Sequence, residues 1–285
     1  MRSAYLTEEA LNNFISSALA EDIGAGDYSS LASIPPEKSG KARLLIKGDG
    51  IIAGLEVAER IFKSFDPKLE IELLLEDGAK VNVGDIGLIV SGSAASILTS
   101  ERLVLNCMQR MSGIATLTNR LTQKIHHTKA RLMDTRKTTP NFRLLEKWAV
   151  HIGGGVNHRF ALYDMVMLKD NHVDFAGGIK QAIERTKAYL GSKNLNLKIE
   201  VETRNLKEVE EVLEVGGIDF IMLDNMDYAT MRTAVEMIDG RFSTEASGGI
   251  TEENLTEVAE CGVDFISMGA LTHSVKSMDI SLKAI

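Results

Sequence analysis

Two cysteines, Cys107 and Cys261, are all that the 285 residues contain. They stand far apart and form no CxxC pair, which excludes a disulfide framework and a zinc knuckle and predicts two small core residues in a reducing compartment. Only four prolines are present, so long Pro-rich linkers are excluded. No window approaches the roughly 18 consecutive apolar residues that a bilayer span needs. The first residues, MRSAYLTEEALNNFISSALAEDIG, bring acids early and no unbroken apolar run, unlike a secretory leader. The expectation is a cytoplasmic protein with no membrane partner. Positive charge is scarce as well. A net charge of −8 argues against a broad basic surface for nucleic acid.

What remains is ordinary for a globular chain, 44% hydrophobic and 25% charged, long enough for one large domain or two moderate ones. TEEALNNFISSALAED reads as an amphipathic helix with Thr7 as N-cap. KARLLIKGDGIIAGLEVAERIFKSF reads as strand, turn, strand and helix, and LEIELLLEDGAKVNVGDIGLIVSG adds strands around Asp77-Gly78 and Gly84-Asp85. EDGAKVNVGD has the look of a lipoyl or biotinyl carrier turn, but no lysine stands at a hairpin tip, and turn chemistry alone accounts for its Gly and Asp. These elements predict an α+β layer. From Ser100 a long helix is expected, with Leu103, Leu105, Met108, Met111, Ile114, Leu117 and Leu121 as a core stripe rather than a sulfur site. Gly113 within it marks a break or a close backbone approach.

The second half changes rhythm. Short apolar runs end at Asp134, Lys169, Glu200, Asp224, Ser247 and Gly269, at intervals of 35, 31, 24, 23 and 22 residues. Helical patterns such as NLKEVEEVLEVGG fill the gaps and close on Gly. Repeated βα units at this spacing predict a parallel sheet closing toward a barrel, whose functional groups gather at the C-terminal strand ends.

Three constellations could carry chemistry there. Between Arg131 and Lys169 seven cations face three acids, a local reversal suited to a small polyanion. DTRKTTPNFR supplies Arg136 and Lys137, GGGVNHR supplies His158 and Arg159, and Lys169 ends MVMLK. Arginine offers carboxylate and phosphate a planar fork, whereas lysine acts as a point charge. Lys169, directly after four apolar residues, is expected half buried and in need of an anion; an aldolase-type lysine is the other reading. Gly153-Gly154-Gly155 suits either a ligand approach or a loop hinge beside RLLEKWAVH. The acidic set is Glu200, Glu202 and Asp224, with Asp170 and Asn171 nearby. Alternation puts Glu200 and Glu202 on one strand face, and such carboxylates suit Mg²⁺ or sugar hydroxyls; a helix cap or surface ion pair explains Glu202 equally well. Last, Ser247-Gly248-Gly249 before TEENLTEVAE, with Gly269 after the final strand, suits a phosphate on backbone N–H groups at a helix start.

DTRKTTPNFRLLEKWAVHIGGGVNHRFALYDMVMLKDNH, preceded by ERLVLNCMQRMSGIAT and followed by EASGGI, closely resembles the quinolinate phosphoribosyltransferase family, and the resemblance runs from EDIGAGDYSS to ISMGALTHS. It implies an N-terminal α+β open sandwich (residues 1–105) followed by an incomplete parallel α/β barrel (residues 106–285) of the type II phosphoribosyltransferase kind, with the C-terminal tail packing back on the first domain. It implies quinolinate and phosphoribosyl pyrophosphate as substrates, Mg²⁺ as cofactor, and a homodimer, or a hexamer, with shared sites. Arg136, His158, Arg159 and Lys169 would bind the quinolinate carboxylates and neighbouring phosphates, with Thr135 beside them, and Lys137 would face the pyrophosphate. Arg102 would be given to the partner subunit's site. Glu200 and Asp224 would engage the ribose and its Mg²⁺, and Ser247, Gly248, Gly249 and Gly269 would form the phosphate loops. A molybdenum-operon relative, a nicotinate phosphoribosyltransferase and a silent phosphate-binding barrel are the competing readings.

Overall fold

A computed structural model of the chain describes residues 4–285; the first three residues of the N-terminal stretch read above lie outside the described residues. The chain divides into two compact units. One comprises residues up to 119, 137–155 and 271–285; the other comprises 120–136 and 156–270.

In the first unit, helix α1 (Glu8–Ile23) starts at Thr7, whose hydroxyl accepts the Ala10 N–H at 3.1 Å. Helix α2 (Tyr28–Ser33) follows, capped by Asp27. Strands β1 (Ser39–Ile46) and β2 (Gly50–Ile51) lead to helix α3 (Leu55–Phe65). The cap of α3 comes from far along the chain: Asp77 accepts the Leu55 N–H at 2.8 Å, which gives the EDG turn a structural task. Burial pushes the Asp77 carboxyl up, against the pull of these backbone N–H groups. Strands β3 (Glu70–Leu73), β4 (Lys80–Val81) and β5 (Ile86–Ser93) run directly into α4 (Ala94–Lys124).

The last strand of the chain, β12 (Ile280–Ala284), joins this unit, giving the antiparallel order β12-β1-β5-β3. Leu44 faces Leu282 and Ile46 faces Ile280 in register, and all four are buried. Each such side chain withdrawn from water contributes roughly 1.5–3 kcal/mol. Met108, Met111, Ile114 and Leu121 of α4 are buried as the stripe predicts. The helix runs unbroken through the expected boundary at residue 105. Gly113 marks a close approach, since a Cβ there would lie 2.4 Å from the Lys276 carbonyl oxygen. Both cysteines are buried and free. Among the described residues no helix is long and apolar enough to cross a membrane.

Helix α5 (Arg143–Ile152) belongs to the first unit, and Gly153 ends it. A Cβ at Gly153 would come within 2.5 Å of the Ala115 carbonyl, and Gly154 has φ +93°. The glycine run therefore serves close packing on α4 and a left-handed turn.

The second unit is a six-stranded parallel sheet. Its strands are β6 (Arg131–Met133), β7 (Val166–Leu168), β8 (Ile199–Thr203), β9 (Phe220–Asp224), β10 (Ser243–Ser247) and β11 (Phe265–Ser267), in the order β6-β11-β10-β9-β8-β7. Helices α6 (Asp170–Ala176), α7 (Ile179–Lys193), α8 (Leu206–Val215), α9 (Tyr228–Ile238) and α10 (Leu255–Ala259) alternate with them, and α11 (Ala270–His273) follows the last. β6 and β7 are the two edges and do not pair, so the barrel is incomplete. Val201, Ile221, Leu223, Ala246 and Ile266 are fully buried, as parallel strands covered by helices require.

Candidate active site

Asp134 directly follows β6 and is completely buried. Its carboxylate accepts the His158 backbone N–H at 2.9 Å and the Asn157 side-chain amide at 2.6 Å. A parallel bridge between Met133 and Val156 continues the same join. The basic segments DTR and NHR are thus laid side by side by one acid and one bridge.

Arg136 and Arg159 come next, both half-buried. Arg159 donates to the Met165 carbonyl at 3.1 Å, whereas the buried Arg136 Nε has no hydrogen-bond partner. Burial lowers the Arg159 guanidinium's hold on its proton, and the neighbouring Arg136 charge lowers it further. Two half-desolvated guanidiniums within electrostatic reach of each other suit an anion chemically. Lys169 is a correction: it is exposed, not half-buried, because β7 is only three residues long and ends at Leu168. Thr135 is half-buried beside Arg136. Lys137 and Arg102 belong to the first unit, and both are exposed. The Lys137 carbonyl accepts the Thr272 hydroxyl at 2.8 Å. Arg143 starts α5 and donates to the Thr138 hydroxyl at 2.9 Å.

The two glutamates of β8 separate in depth. Glu200 pairs in register with Met167 and Phe220, Glu202 with Met222. Glu200 is fully buried, and its Oε2 lies 2.8 Å from His158 Nε2. The expected opening of Glu200 onto ribose and Mg²⁺ meets a carboxylate turned to a buried imidazole. Glu202 is half-buried one step nearer the C-terminal end. Burial raises its pKa, Asp224 adds to the rise and Lys169 opposes it, which puts these three groups within electrostatic reach. Asp224, half-buried, accepts the Asn225 amide at 2.7 Å.

A residue that the sequence reading passed over completes the floor. Glu245 of β10 is fully buried, with its Oε2 3.4 Å from His158 Nε2. Its signal was a glutamate at the centre of the short strand STEAS, where burial between neighbouring parallel strands leaves a carboxylate in need of a partner. Burial alone would lower the His158 pKa, but its hydrogen bonds to Glu200 and Glu245 and their charges raise it to about 10. Glu200 is itself pushed up to about 7 by burial and by Glu245, with His158 opposing.

The donor atoms of His158, Glu200 and Glu245 all lie within 4.8 Å of one another. A hydrogen-bonded nitrogen donor closed from water does not suit Mg²⁺, which takes oxygen ligands and retains waters. Half-buried Glu202 and Asp224 at the strand ends do fit that demand.

The glycine loop follows β10. Gly248 has φ +90°, and a Cβ there would fall 2.3 Å from Asn225 Oδ1, so no side chain is accommodated. Helix α10 starts only at Leu255, later than TEENLTEVAE suggests. The loop is closed instead by Asn254, which donates to the Gly249 carbonyl at 3.1 Å and accepts the Thr251 N–H at 2.8 Å. Backbone N–H groups of the glycines, rather than a helix end, are what this loop offers an anion. Gly269 follows Met268, whose N–H donates to the Met133 carbonyl at 3.0 Å.

The family models for the quinolinate phosphoribosyl transferase N-terminal and C-terminal domains match residues 27–112 and 114–283. The chain is 49% identical to the chloroplastic nicotinate-nucleotide pyrophosphorylase [carboxylating] of Arabidopsis thaliana over 288 residues, covering 96% of this chain and 82% of that one. It is 43% identical over 270 residues to a probable nicotinate-nucleotide pyrophosphorylase [carboxylating] of Synechocystis, covering 94% and 90%. The crystal structure of NadC from Streptococcus pyogenes superposes with a TM-score of 0.92 at 38% identity, over 99% and 100% of the two chains. Human nicotinic acid phosphoribosyltransferase shares the fold alone, at 14% identity and a TM-score of 0.63 over 98% of this chain and 74% of that one.

Proposed function

Because the chain belongs to the quinolinate phosphoribosyl transferase family, we infer that it transfers the phosphoribosyl group of phosphoribosyl pyrophosphate to quinolinate, giving nicotinate mononucleotide, pyrophosphate and CO₂ in NAD biosynthesis. The observation that carries this reading is the paired half-buried guanidiniums of Arg136 and Arg159, next to a histidine held cationic by two buried glutamates. That concentration of fixed positive charge answers the two carboxylates of quinolinate better than the single one of nicotinate.

The quinolinate nitrogen attacks C1 of the ribose as pyrophosphate departs, through a centre with oxocarbenium character. Glu202 and Asp224 stabilise positive charge on the ribose or hold its hydroxyls, the role that the family resemblance implied for Glu200 and Asp224. Glu200 acts from beneath, through His158. Magnesium, arriving with the pyrophosphate substrate, would be held by Asp224 and Glu202 and would neutralise charge on the leaving group. Lys137 and Lys169 add cationic charge for the phosphates, and the backbone of Ser247, Gly248, Gly249 and Gly269 receives the 5′-phosphate. Once the pyridinium has formed, the 2-carboxylate leaves as CO₂, its bonding pair stays at C2 beside the positive nitrogen, and a proton takes it. No covalent nucleophile is required; positioning and electrostatics suffice.

The working unit is a homodimer to which Arg102 is lent across the interface, and the two buried free thiols suit a reducing, cytoplasmic setting. Incubation with quinolinate, phosphoribosyl pyrophosphate and Mg²⁺ tests the reading. Equimolar CO₂ and nicotinate mononucleotide are expected. Turnover of nicotinate but not of quinolinate would overturn it.

A further inference from the structure

Glu245 is fully buried, and neither of its carboxylate oxygens has a hydrogen-bond partner of good geometry. Glu200 Oε1 is in the same position. Two carboxylates buried this way are costly, with an effective penalty of several kcal/mol per ion unless an opposite charge compensates them. The cation that meets both is the His158 ring, through one atom, Nε2, at 2.8 Å from Glu200 and 3.4 Å from Glu245. A bare Nε2 lone pair would repel both acids, so this nitrogen carries a proton. The ring is also pinned from its own backbone, where the His158 N–H donates to Asp134. A core that needed only volume at position 245 would be better served by an uncharged side chain.

We propose that Glu245 is a positioning residue, which with Glu200 clamps His158 as a permanently charged, fixed imidazolium for the substrate's carboxylates. The proposal rests on the transferase reading above and assigns Glu245 no contact with substrate. The charged groups that bear on His158 are Glu200 from β8 and Glu245 from β10 at its ring, and Asp134 after β6 at its backbone N–H. Two buried acids at one imidazole let the ring stay positive, in a sequence neighbourhood that also carries Arg136 and Arg159. Glu200 alone would give the Nε2 proton one carboxylate; Glu245, from β10 two strands along the same sheet, presents a second to the same atom. It also deepens the potential well for the proton.

The test compares wild type with Glu245→Gln, which keeps the shape and removes the charge. The quinolinate KM should rise about tenfold or more, as for loss of a charge-assisted contact, while the phosphoribosyl pyrophosphate KM stays within about twofold. The rise should steepen between about pH 6.5 and pH 8.5 in the variant and stay flat in wild type, because a histidine less firmly held returns toward its ordinary range. An unchanged quinolinate KM, or a pH-independent loss shared by both substrates, would overturn the proposal and leave Glu245 a packing residue. ¹⁵N-histidine NMR of the wild type is a second readout that does not need the variant to fold. A doubly protonated ring that persists at about pH 8.5 and disappears in His158→Gln is expected; no such ring overturns the clamp. Absence of quinolinate turnover in wild type would instead sink the transferase reading, with the NMR signature still readable.

Discussion

Glu146 accepts two hydrogen bonds from Arg110, Nε at 3.0 Å and an Nη at 2.9 Å, while it is itself fully buried. Its oxygens also receive the Thr139 N–H at 2.9 Å and the Thr139 hydroxyl at 3.0 Å. Arg110 goes on to the carbonyls of Thr272 and Val275, and the Thr272 hydroxyl holds the Lys137 carbonyl. One buried ion pair thus ties α4, the loop after Lys137 and the chain beyond α11 into a single knot. Removing Arg110 strands a buried carboxylate, so Arg110→Met should cost about 3 kcal/mol or more. Urea unfolding measures this, and a loss below about 1 kcal/mol would mean the pair behaves as a surface bridge.

Arg136→Lys keeps the charge and loses the fork. Loss of one charge-assisted hydrogen bond is worth about 1.5–3 kcal/mol, so quinolinate binding should weaken by roughly 10-fold to 100-fold. Titration calorimetry with quinolinate is the measurement. Unchanged affinity would take Arg136 out of the carboxylate seat.

Glu202→Gln and Asp224→Asn should lower kcat by about 10²-fold, as expected when a group serving the charged transition state is neutralised, and leave quinolinate binding near wild type. Glu200→Gln should instead weaken quinolinate, since its carboxylate meets His158. If Glu200→Gln lowers kcat alone and Glu202→Gln does nothing, the two glutamates have been assigned the wrong way round.

The buried cluster makes stability fall as pH rises. Glu200 is raised to about 7 from an ordinary 4.5, and His158 to about 10 from 6.5. Both groups bind protons more tightly folded than unfolded. Their contribution is therefore complete below the unfolded values and is lost as pH rises through the folded ones. Tm should decline progressively from about pH 5 to about pH 10, and Glu200→Gln should flatten the lower part of that decline. A Tm that rises across the range would contradict the sign.

Arg102 is exposed on α4. If it completes a partner's site, mixing inactive Arg102→Ala with inactive Arg159→Ala should restore roughly a quarter of the sites in randomly exchanged C₂ dimers. No recovery despite demonstrated subunit exchange would confine each site to one chain.

The sequence by itself determined the architecture and the chemical types at the strand ends. Both are local: the Thr7 cap, the α4 stripe, the Gly216 that ends α8 and the 22 to 24-residue spacing of Glu200, Asp224, Ser247 and Gly269 follow from periodicity and turn chemistry. It also marked Arg136, His158 and Arg159 as one family motif. Depth was decided only by the tertiary structure. Alternation puts Glu200 and Glu202 on one face, but β8 starts at Ile199, so Glu200 sits low against His158 while Glu202 rises toward Asp224. Glu245 was illegible for the same reason, as its partner lies 87 residues earlier in the chain and meets it only when β10 and the segment after Val156 fold together. Lys169 went the other way, exposed because its strand stops just before it. Whether a charge is counter-ion, ligand or scaffold depends on which partners desolvate it, and those partners come from different strands.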